Sequence, residues 1–239
     1  MSSVTDEIYP NSPLVEVIFE IRFPGELQIE CERHLFWERI RKEYPTIKVP
    51  HLKPEKAPAL LPYKFDRKDG EMTAMIALNS FALSALKYPG FKEFKKEYLR
   101  LYKIFGEVFK IGRLNRAGWR YVNIIPFVRE QGSIPLNHFL NLGFKLPECI
   151  PERFQTVGLE FVSRLEGATV TTKLNTLIND DTKQEALLLD FDYAIESSAT
   201  NLELSNVENY MDEAHKFTRQ LFEDLVTDEY RQYLKGDTL

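Results

Sequence analysis

Alternation of apolar and polar residues predicts a strand near the start of the chain, in the segment PLVEVIFEIRF. The apolar side chains that share one face are Val15, Val17, Phe19, Ile21 and Phe23. The opposite face carries Glu16, Ile18, Glu20 and Arg22. A two-residue period is typical of a strand that buries one face and exposes the other. Pro13 and Pro24 bracket the segment and mark its limits.

Helical spacing of apolar residues predicts two long helices and a short one. After Tyr88-Pro89-Gly90, the apolar stripe consists of Phe91, Phe94, Tyr98, Leu101, Phe105 and Val108. A second stripe consists of Val207, Tyr210 or Met211, Ala214, Phe217, Leu221 and Leu225. Ser205 and Glu208 form a capping-box pattern before it. The short helix carries Phe36, Ile40 and Tyr44 on one face and ends at Pro45.

Further strands are predicted from short apolar or alternating runs that turn signals separate. In the first half these runs are YKFDR, EMTAMIAL and FALSALK, with a hairpin turn at Asp69-Gly70. In the second half they are FKIGRLNRAGWRYVNIIPF, with a bend near Gly118, then FQTVGLEFV, ATVTTKLNTL and EALLLDFDYAI. The proline-rich segment PTIKVPHLKPEKAPALLP is predicted to be a loop, and LNHFLNL a short helix.

The order of these elements indicates an α+β protein with a predominantly antiparallel sheet or sheets and helices packed on the sheet. Both halves follow a β-α-β-β-β-α-like order, so we interpret residues 14–108 and 109–225 as a structural pseudo-repeat. A short helix is expected over 227–235, after Thr227 as its cap. Residues 1–239 are expected to form a single globular unit.

The composition is that of an ordinary globular protein. Of 239 residues, 44% are hydrophobic and 28% charged, and the net charge is −5. There is no apolar run of membrane-spanning length and no signal-peptide pattern at the start. Cys31 and Cys149 form neither a CxxC motif nor a disulfide framework. A cytoplasmic location with reduced thiols and no contact with membrane is therefore the expectation.

The charge is unevenly distributed. Residues 86–120 contain ten basic and three acidic residues, a net charge of +7, whereas residues 180–239 contain five basic and fifteen acidic residues, a net charge of −10. This asymmetry is open to two interpretations: a basic binding surface, or two parts of one fold that attract each other. We favour the second, because it requires no external partner.

Four pieces of sequence carry a resemblance to a known family. They are P-[LV]-x-E-[VA] at Pro13, Leu14, Glu16 and Val17; Y-x-G-[WF]-x-x-F at Tyr88, Gly90, Phe91 and Phe94; R-x-G-x-R-Y-x-N at Arg116, Gly118, Arg120, Tyr121 and Asn123; and F-x-x-x-[ILV]-T-[DE]-E at Phe222, Val226, Thr227, Asp228 and Glu229. Together they resemble a sporadically distributed bacterial and archaeal family of unassigned function. The resemblance spans nearly the whole chain and implies no activity and no catalytic residues.

The polar residues of RAGWRYVN are the first candidates for a binding or structural cluster. If the Trp119 and Tyr121 face is core, Arg116 and Arg120 point to the other side of the sheet. Asp190 and Asp192 point to one face of their own strand, about 7 Å apart. Arginine suits bidentate pairing with carboxylates, so we predict that Arg120 pairs with at least one acid of these strands. The candidate cluster is Arg116, Arg120, Asn123, Glu160, Asp190 and Asp192, with the five acids Glu16, Glu20, Glu160, Asp190 and Asp192 as possible partners of Arg120.

Enzymatic motifs are not recognisable in the chain. It has no GxSxG, P-loop or GxGxxG motif, and its four histidines are scattered. We assign no catalytic residue, no cofactor and no metal, although a magnesium site at Glu160, Asp190 and Asp192 is conceivable.

Two functions from different classes remain open. The first is a non-enzymatic protein-interaction module that binds a protein partner or another copy of itself through a sheet face or edge. The alternative is a nucleic-acid-binding or -processing protein, with a link to mobile elements or defence. It would use the basic segment, at Lys92, Lys95, Lys96, Arg113, Arg116 and Arg120.

Overall fold

The computed structural model describes residues 8–49, 61–143, 147–150, 153–197 and 202–237. These residues form nine strands, five α-helices and one short 3-10 helix. The strands are β1 (Leu14–Arg22), β2 (Thr46–Lys48), β3 (Tyr63–Asp66), β4 (Met72–Ala77), β5 (Ser80–Ala85), β6 (Arg116–Phe127), β7 (Gly158–Arg164), β8 (Ala168–Ile178) and β9 (Glu185–Glu196). The helices are α1 (Gln28–Ile40), α2 (Phe91–Val108), α3 (Leu136–Phe139), α4 (Val207–Leu225) and α5 (Asp228–Leu234).

All nine strands belong to one antiparallel sheet. Its order is β2-β3-β4-β5-β1-β6-β9-β8-β7, and every neighbouring pair is antiparallel. The predicted α+β class with an antiparallel sheet is therefore confirmed. Outward from the central β1–β6 pair, the order is β5, β4, β3 on one side and β9, β8, β7 on the other.

One face of the sheet carries the aromatic core and packs against α1, α2 and α4. Phe19 of β1 meets Tyr98 of α2 with ring centroids 4.7 Å apart, and Trp119 of β6 meets Phe94 at 5.3 Å. Tyr193 of β9 lies against Phe217 of α4 at 5.3 Å. The two-residue alternation of the strands therefore places their other side chains, including the charged ones, on the opposite face, which we call the open face.

Two local predictions are wrong near the strand ends. Thr46–Lys48, expected to be a loop, forms β2 and pairs with β3; residues 50–60 of the predicted loop lie outside the described residues. Val15 is exposed, because the β1–β6 register shifts between Leu14 and Glu16.

The buried stripe of α2 is the predicted one at Phe94, Tyr98, Leu101 and Phe105, whereas Phe91 and Val108 are only partly buried. The stripe of α4 is rotated from the prediction. Its buried residues are Val207, Met211, Ala214, Thr218 and Phe222, and Phe217 and Leu221 are only partly buried. Thr218 can enter the core because its hydroxyl donates a hydrogen bond to the Ala214 carbonyl at 2.7 Å.

The predicted caps have different outcomes. Ser205 lies in the 3-10 helix Leu204–Asn206, and its hydroxyl donates to Glu203, so the predicted capping box with Glu208 does not form. Thr227 caps α5 as predicted, since its side chain accepts the backbone N–H of Tyr230 at 3.1 Å. Within the described ranges, no helix is both long and apolar enough to cross a membrane.

Candidate functional site

The open face carries a bidentate ion pair at its centre. Arg120 of β6 donates from Nε and Nη2 to the two carboxylate oxygens of Asp190 on β9, at 2.8 and 2.6 Å. The Asp190 side chain is only 5% exposed, whereas that of Arg120 is 46% exposed. The hydrogen bonds that Arg120 donates to Asp190 raise the pKa of Arg120 above its ordinary value. The prediction that Arg120 pairs with one of the named acids is confirmed.

Arg116 continues the charged network toward β1. Its Nη2 lies 2.7 Å from both carboxylate oxygens of Asp192, and its Nη1 lies 3.4 Å from Oε1 of Glu20. Glu20 also accepts a hydrogen bond from Arg22 at 2.6 Å. The network therefore links β1, β6 and β9 across the middle of the sheet.

Gly118 makes this reach of Arg116 possible. Gly118 does not interrupt the strand, since β6 pairs with β9 continuously from Arg116 to Phe127. Instead, the guanidinium of Arg116 lies directly over Gly118, where an added Cβ would come within 2.1 Å of Nη1. Glycine provides the space that the arginine needs to reach Asp192, which is paired in register with Arg120.

Glu160 lies further out on the same face and does not contact the arginines. It is on β7, where its carboxylate lies 3.2 Å from Nζ of Lys173 on β8. A shallow polar depression joins it to the central ion pair. The depression is lined by Arg120, Glu160, Thr171, Lys173, Asp190 and Asp192.

Asn123 does not belong to this cluster, although the sequence analysis placed it there. It is 3% exposed on the core face, and its Nδ2 donates to the Leu189 carbonyl at 3.1 Å. The reason is the alternation of β6, which directs Asn123 to the same side as Trp119 and Tyr121.

The carboxylates of the open-face cluster are neutralised by neighbouring basic side chains. Each of its three carboxylates lies against a basic side chain within 3.2 Å. In the described part of the chain, no three His, Cys, Asp or Glu side chains come together in a way that could hold a metal ion. The arrangement is suited to fixing the register of neighbouring strands and to presenting a polar surface.

A second concave region lies on the core face and was missed by the sequence analysis. It is a narrow cleft with a cavity volume of about 40 Å³, and it lies between the start of β1, β6 and the helices α2 and α4. The hydroxyl of Tyr121 lies 2.7 Å from Nδ1 of His215, and the His215 ring stacks on Phe91 at 3.9 Å. The hydrogen bond joins β6 to α4, and the stacking joins α2 to α4.

Residues of the four motifs that the sequence analysis singled out converge on this cleft. Its lining includes Pro13, Leu14, Tyr88, Phe91, Tyr121 and Asn123. His215 also lines it, although the sequence analysis treated this residue as an isolated histidine. The four motifs were the available signal, although they lie far apart in the chain and meet only in the fold. On the cleft's rim, burial and a hydrogen bond to Glu223 raise the pKa of Tyr9 to about 12.

Among the described residues, three of the ten basic residues in segment 86–120 pair with acids of the second half, whereas Lys87 and Arg100 pair with acids of the first. Lys95 of α2 lies 2.9 Å from Glu208 and 2.6 Å from Asp212, both on α4. Arg116 and Arg120 pair with the acids of β9 as described above. These contacts agree with the favoured interpretation of the charge asymmetry, in which two parts of one fold attract each other.

The outer end of the sheet exposes a strand edge. β7 pairs with β8 on one side, and no strand pairs with its other side in the ranges that the structure describes. Val162 is 62% exposed and Phe161 is 47% exposed, on opposite faces of this strand. Exposed apolar side chains beside unpaired backbone groups are typical of a surface that binds another strand.

No family model matches the sequence, and no curated protein is significantly similar to it.

Proposed function

We propose that the protein is a non-enzymatic interaction module that binds an extended segment of protein along β7. The observation that carries this proposal is the free edge of β7, a seven-residue strand with apolar side chains exposed on both faces. Strand addition at such an edge gains affinity from backbone hydrogen bonds and specificity from the alternating side chains. The charged network at the middle of the sheet then serves to hold the scaffold in register.

The pseudo-repeat supports the choice of this edge. We infer that residues 14–108 and 109–225 are repeated halves, because equivalent strands occupy equivalent positions about the β1–β6 pair. β3 and β7 are equivalent in this arrangement. The outer edge of β3 is covered by β2, whereas the described residues supply no corresponding cover for β7. The β3 end of the sheet therefore carries an additional strand that the β7 end lacks among the described residues, which leaves the backbone groups of β7 available for pairing.

Site-specific photocrosslinking tests the proposal. A benzophenone amino acid at position 162 should form covalent adducts with a defined protein in cells that produce this chain, because it lies on the proposed contact strand. The matched control is the same amino acid at Leu86, which is also exposed but lies at the end of β5. Mass spectrometry identifies the adducts. Equal adducts at both positions, or none at position 162, would contradict the proposal.

Nucleic-acid binding is the alternative, and ion pairing weighs against it. Of the six basic residues proposed for it, Lys95, Arg116 and Arg120 lie within 3 Å of carboxylates. Paired cations neutralise fewer phosphates, so the gain in affinity from counterion release is smaller. A gel shift with single- and double-stranded oligonucleotides tests this alternative. Tight binding that falls steeply with added salt, and that is lost in Lys92→Glu and Arg113→Glu, would favour it.

A further inference from the structure

We propose that the strand that pairs with β7 is β7 of a second copy of this chain, antiparallel and centred on Val162. This inference rests on the proposed function, since it names the occupant of the edge assigned above. Three features of β7 support it: the direction in which its backbone groups point, the order of its charged residues, and the apolar side chains that become paired in one register.

The backbone of β7 determines which residues face the free edge. The N–H of Leu165 donates to the Ala168 carbonyl at 2.8 Å, and the N–H of Thr176 donates to the Val157 carbonyl at 2.9 Å. Backbone groups of an antiparallel strand alternate between its two sides, so the odd-numbered residues of β7 bond to β8. The outward groups belong to Gly158, Glu160, Val162 and Arg164. A second strand must therefore pair even-numbered residues with even-numbered residues.

We compare the register centred on Val162 with the two registers shifted from it by two residues. Only the centred register is complementary in charge. With Val162 opposite Val162 of the second copy, each Glu160 lies opposite Arg164 of the other copy. A shift of two residues in one direction places Glu160 opposite Glu166, and a shift in the other places Arg164 opposite Gly158. Arg164 forms no ion pair among the described residues, whereas Glu160 contacts Lys173 at 3.2 Å. Opposite charges directly across a strand pair are stabilising, and like charges are destabilising.

The same register also buries the exposed apolar side chains. On the open face it places the two Val162 side chains against each other. On the core face it pairs Leu159 with Leu165 of the second copy, and Phe161 with Ser163, which brings the two Phe161 rings near the symmetry axis. Because the contact is isologous, the Leu159–Leu165 and Phe161–Ser163 pairs each occur twice, the Val162 pair lies once on the axis, and the assembly closes as a dimer with one continuous sheet.

A proline at position 162 is the selective test of the backbone contact. Since the N–H of Val162 points away from β8, Val162→Pro removes a hydrogen bond of the dimer and leaves the β7–β8 ladder intact. We expect the purified full chain to be a dimer in analytical ultracentrifugation at micromolar concentrations, and Val162→Pro to be a folded monomer. Val162→Thr keeps the N–H and the β-branched shape, so it should remain a dimer.

Charge reversal tests the register. Glu160→Arg and Arg164→Glu should each weaken the dimer by about tenfold or more, because each converts two attractive pairs into repulsive ones. A mixture of the two variants should form a heterodimer, in which both pairs are again complementary. The double variant Glu160→Arg/Arg164→Glu should recover self-association. Circular dichroism of each variant verifies that it is folded.

The outcomes separate this inference from the proposed function. A monomeric wild-type chain, or a Val162→Pro variant that stays dimeric, overturns the β7 dimer. A dimer that the charge-reversed mixture does not restore overturns the register. If the wild type is monomeric but position 162 crosslinks to a different protein, the proposed function stands and the self-pairing fails. Crosslinks between two copies at position 162 support both.

Discussion

At the scale of single residues, the pair of Arg120 and Asp190 determines how much the open face contributes to stability. Asp190 is buried under the guanidinium, so Arg120→Ala leaves a carboxylate with its main partner removed. We expect a loss of about 2–3 kcal/mol in the free energy of unfolding, measured by urea titration. In an Asp190→Asn background, Arg120→Ala should lower the free energy of unfolding by much less, because the side chain at position 190 then carries no charge. An unchanged stability of Arg120→Ala would contradict the structural role and direct attention to Arg120 as a ligand-binding group.

Gly118 gives a second prediction at this scale, in which the sign of the effect depends on Arg116. Gly118→Ala should destabilise the wild type, because the new Cβ occupies the space of the Arg116 guanidinium and displaces it from Asp192. In an Arg116→Ala background the space is free. There Gly118→Ala should stabilise by about 0.5–1 kcal/mol, as expected for replacing glycine in a strand interior. Thermal melts of the four proteins measure the coupling, and additive effects would contradict the proposed contact.

The sequence predicted which face of the sheet carries Arg120 and Asp190, but it did not predict which side chains they contact. Period-two alternation assigns Arg120 and Asp190 to one face once the core face is known. The same alternation places Asn123 on the core side, and its polar character alone suggested otherwise. The contact of Gly118 with Arg116 was not predictable, because a glycine in a strand has several structural explanations. Only coordinates show that a guanidinium lies over it.

At the scale of elements, the turn after α1 and the helix α2 are joined by a carboxylate whose ionisation stabilises the fold. Glu97 of α2 accepts hydrogen bonds from Tyr44 at 2.8 Å and from Arg100 at 2.7 and 2.9 Å. Burial acts to raise the pKa of Glu97, but the hydrogen bonds from Arg100 and Tyr44 outweigh it, so the pKa lies below its ordinary value of 4.5. The ionised form is therefore favoured in the folded state. Its stabilisation is fully present above the unfolded pKa and is lost as pH falls through the folded one.

Glu97→Gln should consequently be less stable than wild type at neutral pH, and the difference should shrink as the pH falls below about 4.5. Urea titrations across the acidic range measure this convergence. The control is Glu93→Gln on the same helix, since Glu93 is exposed and its nearest cation, Lys96, is 3.9 Å away. A difference between Glu97→Gln and wild type that is independent of pH would assign the loss to packing.

The elements that sequence predicted well are those in which one physical effect dominates. The stripe of α2 was predictable because burial alone determines its large apolar residues. The stripe of α4 was rotated because Thr218 satisfies its hydroxyl within the helix and takes a core position that a hydrophobicity pattern assigns to Phe217. β2 was missed because three exposed residues between prolines have no pattern of their own. Their strand forms through pairing with β3, which is a tertiary effect.

At the scale of the whole molecule, the strand order joins the two halves at their centre. Local pattern could give the sequence of elements and the antiparallel class, but it carries no information on which distant strands pair. β1 pairs with β6 from Arg22–Arg116 to Leu14–Asn123, so the contact between the halves is also the middle of the sheet. Separating the halves would turn two central strands into exposed edges. We therefore expect the halves to unfold together.

The two tryptophans provide probes of this cooperativity, because Trp37 lies on α1 in the first half and Trp119 on β6 in the second. In Trp37→Phe, the tryptophan fluorescence comes from Trp119 in the second half, and in Trp119→Phe it comes from Trp37 in the first. Each variant has its own stability, so the comparison is made within one protein, between fluorescence and far-ultraviolet circular dichroism. We expect the two urea midpoints to coincide in both variants, because Phe19 of β1 packs on Trp119 across the central pair with ring centroids 5.8 Å apart. A separation of the midpoints in either variant would mean that each half can keep its structure after the β1–β6 pairing is lost.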